Sequence, residues 1–374
     1  MLMPLSNSNF AENEFGNLNL GDVRLNSRAI AVAMLINGSP QSSFPDAANG
    51  RKSELKGFYR FFQNDQTNDQ NVLETHYRNT ILRVAECNDD ILLVSDSIFI
   101  VPAKYSMFEN LKDLGKGKNN GLRIHYMIAV NARTHDILGI TDLRIIDEDI
   151  KHTDISLEDE SDNWFFVANQ TFNKIDQYLS KEEADKLKKR CIFVGDRESD
   201  DFSLLFNLKN IGLKFIIRSQ YNRTTDSDKT LDQLEKNSIK YGDHYDIEVS
   251  ITNGGKRTAT VEQSVLIDIQ VCPPKKKEYS KMEPVSINIV LVKELNVPKN
   301  TDPIHWRLLT DVVIDKKSHC NFVVICYKTR WTIEEINKGA KTGCKIESRQ
   351  FTCCEHIYPL ISMIFVVAWR ILSI

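Results

Sequence analysis

Apolar residues recur at helical spacing near the start of the chain. The apolar run Ala29 to Ile36, led by Asp22, Arg24, Leu25, Asn26 and Arg28 and stopped by Asn37, Gly38, Ser39 and Pro40, predicts a helix. Leu55, Phe58, Tyr59 and Phe62 predict a second helix over Ser53 to Asn64. From Ile91 the pattern turns to short apolar runs. Ile91 to Asp96 reads as a buried strand that ends in a carboxylate, and Arg123 to Val130 with Asp136 to Thr141 read as a hairpin. A helix follows from about Asn169 to Lys189, then a strand, Cys191 to Gly195, that delivers Asp196. Asp196 to Asn210 reads as helical and Lys214 to Arg218 as a short strand. Between about Tyr221 and Asp315 the segments Tyr245 to Thr252, Ala259 to Val271 and Val285 to Val292 alternate. Gly254, Gly255, Pro273 and Pro274 supply turns, which predicts an antiparallel β insertion. Helix resumes at about His319.

The order strand, strand, strand, helix, strand, helix, strand resembles a ribonuclease-H-like sheet more than a doubly wound fold. No GxxxxGK[ST] or GxGxxG loop is present to anchor a nucleotide. The expected fold class is α/β, a ribonuclease-H-like core with a β-sheet insertion and an N-terminal helical domain. The helical domain is expected over residues 1–75 and the core over 76–374, interrupted at about 221–315.

A chain of 374 residues is long for one core, which agrees with more than one domain. Its net charge of −3 announces no nucleic-acid binder, but charge is uneven. Basic clusters lie at Lys186 to Arg190 and Lys275 to Lys277, and an acidic stretch runs from Asp147 to Asp162; such runs are more often solvated faces than sites. In the N-terminal helices Arg24, Arg28, Arg51, Lys52, Lys56 and Arg60 can track a DNA backbone, and a solvated basic face accounts for them equally well. Eight scattered cysteines without CxxC spacing point to a reducing compartment and away from zinc. Met1 to Phe10 lacks the apolar core of a signal peptide. Ile357 to Ile374 is apolar but interrupted by Pro359 and Arg370, so it reads as a buried helix rather than a membrane span.

The richest stretch is Tyr327 to Lys341. On one helix Tyr327, Arg330, Glu334, Lys338 and Lys341 share a face, and Ile333, Ile336 and Ala340 fall opposite. Solvated Arg–Glu and Glu–Lys pairs would produce the same spacing. Three acids then stand out: Asp96 and Asp196, each at the end of an apolar strand, and Glu334 on the polar face of this helix. Oxygen-only donors of this kind suit Mg²⁺ or Mn²⁺, and two such ions can drive in-line phosphoryl displacement. A single aspartate at a strand end is usually a turn or cap residue.

Gly195 to Asp200, and Tyr327 to Glu335 followed by Lys341, Thr342 and Gly343, resemble the DDE transposases of the bacterial insertion-sequence-four family. The likeness extends to Leu20, Gly21, Asp22 and Arg28 and to Gly57 through Phe61, and so spans nearly the whole chain. It implies cut-and-paste DNA transposition: metal-dependent cleavage of transposon ends, a hairpin on the end, and strand transfer into target DNA. Asp96, Asp196 and Glu334 would be the catalytic residues and the ligands of two Mg²⁺ or Mn²⁺ ions. Tyr327, Arg330 and Lys341 would grip phosphates, with Lys338 and Arg218 in support, and Trp306 would stack on a flipped base. Arg28, Lys52 and Arg60 would contact double-stranded DNA, both terminal repeats and target. The family continues into a C-terminal helical domain that pairs two protomers, whereas this sequence stops at Ile374. The expected alternative is therefore a truncated DNA-binding chain that occupies ends or inhibits full-length partners without transposing. Either would work in the bacterial cytoplasm, on the nucleoid, with no membrane partner.

Overall fold

The computed structural model describes residues 7–101, 121–146, 160–250, 255–299, 301–349 and 355–373. Most of the acidic stretch, and with it Cys353 and Cys354, falls outside these residues.

Helix α1 (Asn7–Phe15) opens the chain, and α2 (Val23–Gly38) follows. Asp22 caps α2 by accepting the Arg24 amide at 2.8 Å, which satisfies one of the free donors of the first turn. A single turn, α3 (Phe44–Ala47), leads to α4 (Lys52–Phe62), whose Phe58, Phe61 and Phe62 are buried. Phe44 packs against Phe58 and Phe62 at ring-centroid distances of 5.9 and 5.7 Å, an aromatic core of the size a small helical module needs. Helix α5 (Glu74–Glu86) then brings the chain to β1 (Ile91–Ile100), β2 (Leu122–Asn131) and β3 (Ile137–Ile146). Strand β1 does not end at Asp96. Ser97 to Ile100 continue the ladder with β2 out to Leu122, so Asp96 sits mid-strand.

The single helix expected from Asn169 to Lys189 is two, α6 (Glu160–Tyr178) and α7 (Lys181–Lys188). Ser180 and Glu183 form a capping box that starts α7, and a new start forces the break. Strand β4 (Cys191–Gly195) leads to α8 (Phe202–Asn210), which begins later than Asp196. Asp201 accepts the amides of Ser203 and Leu204, so residues 196–201 stay outside the helix. After β5 (Lys214–Arg218) come the short α9 (Leu231–Glu235) and four strands. These are β6 (Ile239–Ser250), β7 (Lys256–Val271), β8 (Val285–Glu294) and β9 (His305–Thr310). Helices α10 (Lys317–Thr329), α11 (Thr332–Lys338) and α12 (Tyr358–Leu372) close the chain, with a π turn over Gly339–Gly343.

The chain divides into two compact units: Met1–Glu158, Phe166–Arg190 and Trp331–Ile374 in one, Asp159–Phe165 and Cys191–Arg330 in the other. The first unit holds the N-terminal helices and the antiparallel order β3-β2-β1. Its core helix is α12, buried from Tyr358 to Arg370, with Trp369 donating its indole N–H to the Ile137 carbonyl at 2.8 Å. An apolar helix covered on all sides buries its whole circumference, which is why its sequence lacks a polar face. Among the described residues no helix is long and apolar enough to cross a membrane.

The second unit is a mixed sheet in the order β4-β5-β9-β8-β7-β6. Strands β4 and β5 are parallel, and the others pair antiparallel. The strands expected as an insertion thus continue the sheet begun by β4 and β5, joined where Arg218 faces Leu308. A buried pair of opposite charges, Asp200 and Arg223 at 2.7 Å, holds the loop that leaves β5.

Candidate functional site

Asp96 and Tyr126 are directly opposite in the β1–β2 ladder, so their side chains leave the same face of the sheet. Helix α11 packs against β1 on the same unit. Tyr126 is fully buried, and its ring meets Phe365 of α12 edge-on at 4.8 Å. Its hydroxyl donates toward Asn337 Oδ1 at 2.8 Å and the Ile333 carbonyl at 3.1 Å. Asn337 Nδ2 in turn faces Asp96 Oδ2 at 3.4 Å, and Asp96 Oδ1 accepts the Ser97 amide at 2.9 Å. Glu334 stands one turn before Asn337 on α11. The Tyr126 phenol is pushed well above its ordinary range, first by burial and then by the negative charges of Asp96 and Glu334. Two carboxylates therefore lie within electrostatic reach of one hydroxyl. Ile333, Ile336 and Ala340 are buried, as the spacing predicts.

Asp196 belongs to the second unit, immediately after β4. Its Oδ1 accepts the Glu198 amide at 2.9 Å, an Asx-type turn. Gly195 makes that turn possible: a Cβ there would stand 2.5 Å from Ser199 Oγ. Among the described residues no three His, Cys, Asp or Glu side chains gather into a group that could hold a metal ion. The donor chemistry of Asp96 and Glu334, carboxylate oxygen alone, fits a hard divalent cation.

The stretch Tyr327 to Lys341 is not one continuous helix. Tyr327 ends up on α10, and Arg330 is its C-cap; Glu334 and Lys338 lie on α11, and Lys341 lies in the π turn. The break is marked by three-residue hydrogen bonds, Arg330 N to Tyr327 O at 3.1 Å and Glu334 N to Trp331 O at 3.0 Å. Lys341 pairs with Glu347 at 3.6 Å, and Lys338 is exposed. On the second unit Tyr327 is largely buried against Trp306 of β9, ring centroids 5.3 Å apart at 67°. Arg218 is the last residue of β5.

Asn337 and Tyr126 escaped the sequence reading. Asn337 was signalled by its position three residues after Glu334 on the same helix face. Tyr126 would have followed only from the β1–β2 register, which a single sequence does not display.

The basic helices of the first unit form a second region. Val23, Arg24, Ser27, Arg28 and Ala31 line an open hollow of about 430 Å³ along α2. Arg28 reaches Glu54 of α4 at 3.5 Å and lies across Gly57, where a Cβ would stand 3.0 Å from its guanidinium carbon. Lys52 opens α4 and Arg60 lies in its last turn; both are exposed. Residues 7–67 match the family model described as transposase DNA-binding. The chain carries a transposase DNA-binding domain, and DNA is its partner. The matched span runs from α1 through α4, and therefore contains Arg28, Lys52 and Arg60. Buried polar side chains help attach the transposase DNA-binding domain to the rest of its unit. Glu14 on α1 meets His76 and Arg83 of α5 at 2.5 and 2.7 Å. Arg349 donates to the carbonyls of Ser42 and Pro40 at 2.5 and 2.6 Å and to that of Cys344 at 2.9 Å.

Proposed function

We propose that this chain is a DDE transposase that cleaves transposon ends and transfers them to target DNA by a cut-and-paste mechanism, on a ribonuclease-H-like core. The observation that carries the reading is a transposase DNA-binding domain on a chain in which Asn337, one turn after Glu334 on α11, links Tyr126 to Asp96. The signature Tyr327, Arg330, Glu334 and Lys341, with its resemblance to the insertion-sequence-four family, supports the same reading. So does the order of elements, three strands, helices, a strand, a helix and a strand.

Asp96 and Glu334, in the first unit, would hold Mg²⁺ or Mn²⁺, and the family resemblance assigns Asp196 as the further ligand of a two-ion set. When bound, such ions lower the pKa of an attacking water or 3′-hydroxyl and stabilise the leaving oxygen. The protein's own groups do the positioning. Arg330, Lys338 and Lys341 supply charge-assisted contacts to phosphate oxygens beside Glu334 in sequence, with Arg218 in support. Trp306 offers an aromatic face to an extruded base, which offsets the cost of unstacking. Arg28, Lys52 and Arg60 hold the duplex through its backbone.

The test is incubation of the purified chain with matched end DNA and Mg²⁺ or Mn²⁺. Wild type should nick at the end, and Glu334→Gln should abolish nicking while leaving binding intact. A second reading, a DNA-binding chain that occupies ends without cutting them, is favoured by the match itself, which covers the binding module alone. Binding by wild type without any nicking would establish it.

A further inference from the structure

We infer that Asn337, held by the Tyr126 hydroxyl, is a positioning residue that fixes the Asp96 carboxylate for a divalent cation. This rests on the proposed metal-dependent function and names two residues that function has not used.

A carboxylate without a proton can only accept, so the face of the Asn337 amide turned to Asp96 Oδ2 is its NH₂ group, at 3.4 Å. The amide oxygen then faces the phenol at 2.8 Å and must accept from it. The phenol has one proton, and the Ile333 carbonyl at 3.1 Å can also only accept, so the proton is shared with the shorter bond leading. No other assignment of the Asn337 amide satisfies both neighbours. Tyr126 is thus what sets the amide, and the amide sets one oxygen of Asp96 while the Ser97 amide sets the other at 2.9 Å.

The elements that carry this chain are stiff. Tyr126 is fully buried on the central strand of β3-β2-β1, with its ring against Phe365. Asn337 is on the same helix as Glu334, so the bond from Tyr126 also fixes the helix that carries the second carboxylate. The contact of 3.4 Å turns the Asp96 carboxylate toward the helix that carries Glu334. Outer partners that orient a metal-binding carboxylate typically change metal affinity by about 10- to 100-fold when removed.

Direct Mn²⁺ binding to the full chain, followed by the electron paramagnetic resonance of free Mn²⁺ with and without end DNA, tests the inference apart from activity. Tyr126→Phe and Asn337→Ala should each weaken Mn²⁺ binding by about 10-fold or more. The double variant should be no weaker than either single one, because the two act through one path. Asn337→Ala, whose side chain is only half-buried, should stay folded and bind end DNA as wild type does. Asp96→Asn serves as the reference for a lost ligand. If Asp96→Asn loses Mn²⁺ binding while both Asn337→Ala and Tyr126→Phe keep it, the positioning role falls and the metal site stands. If wild type binds no Mn²⁺ in either condition, the metal-dependent function falls and this inference with it.

Discussion

His76 on α5 and Glu14 on α1 meet at 2.5 Å in the buried interior of the first unit, and the surroundings fix the histidine's tautomer. His76 Nε2 lies 3.0 Å from the Ile140 amide, which can only donate, so the proton is on Nδ1 and points to Glu14. A second proton on the ring would break the Ile140 bond. The imidazole is accordingly held below its usual value, first by burial, with Glu14 pulling the other way and Arg83 adding to burial.

A pH dependence of stability follows. His76 is neutral when folded but takes a proton near pH ~6.5 when unfolded, so its contribution is complete above that value and shrinks as pH falls below it. His125 acts in the same direction, its pKa lowered to about 3 by burial and by the charges of Arg123 and Arg144. Each contributes up to about 1.4 kcal/mol per pH unit in this window. The melting temperature should fall as pH drops from about 7.5 to about 5.5, with a shallower fall in His76→Gln. A flat profile would contradict the neutral assignment.

Removing the Glu14 charge tests the attachment of the DNA-binding domain. Glu14→Gln leaves the partly buried Arg83 cation facing a neutral amide, and breaking a buried pair in this way costs about 3–5 kcal/mol. Urea unfolding should show a midpoint lower by a corresponding amount, whereas an unchanged midpoint would mean the pair does not fasten α1.

In the second unit Asp200 accepts from the Gln220 and Tyr221 amides at 2.6 and 2.9 Å and from Arg223 at 2.7 Å. Asp200→Asn removes the charge that compensates the buried guanidinium and turns a donor toward other donors. A loss of about 3–5 kcal/mol is expected in chemical unfolding; a loss below about 1 kcal/mol, the worth of a surface pair, would disagree.

Lys52 and Arg60 are exposed cations of the DNA-binding domain, and each that contacts a phosphate contributes about 0.9 to the slope of log affinity against log salt. Lys52→Ala and Arg60→Ala should each lower that slope by about 1 and weaken binding to all duplexes alike. An unaltered slope would remove that residue from the interface.

Much of this architecture is legible in the sequence because it rests on local patterns. The apolar runs at Cys191–Gly195 and Lys214–Arg218 are strands at those same residues. The alternation after Tyr221 is strand as well, and the Asp22-led helix is capped as its sequence demands. What escaped depends on distant partners. The polar pattern of α1 and α5 gave no helix until Glu14 is seen to meet the neutral His76 and the Arg83 cation in the interior. The break between α10 and α11 has no proline or glycine to announce it. The pairing of Arg218 with Leu308, which joins the later strands to β5, crosses some ninety residues of chain, and Tyr126 acquires a role only from its register with Asp96.

The most direct test replaces an Asp96 oxygen ligand by sulfur. In a cleavage assay on end DNA, Asp96→Cys should be inactive with Mg²⁺ and recover nicking with the more thiophilic Mn²⁺, because a thiolate prefers the softer ion. Activity of Asp96→Cys at wild-type rate in Mg²⁺, or failure of wild type to nick with either ion, would contradict a cation held at Asp96 for DNA cleavage.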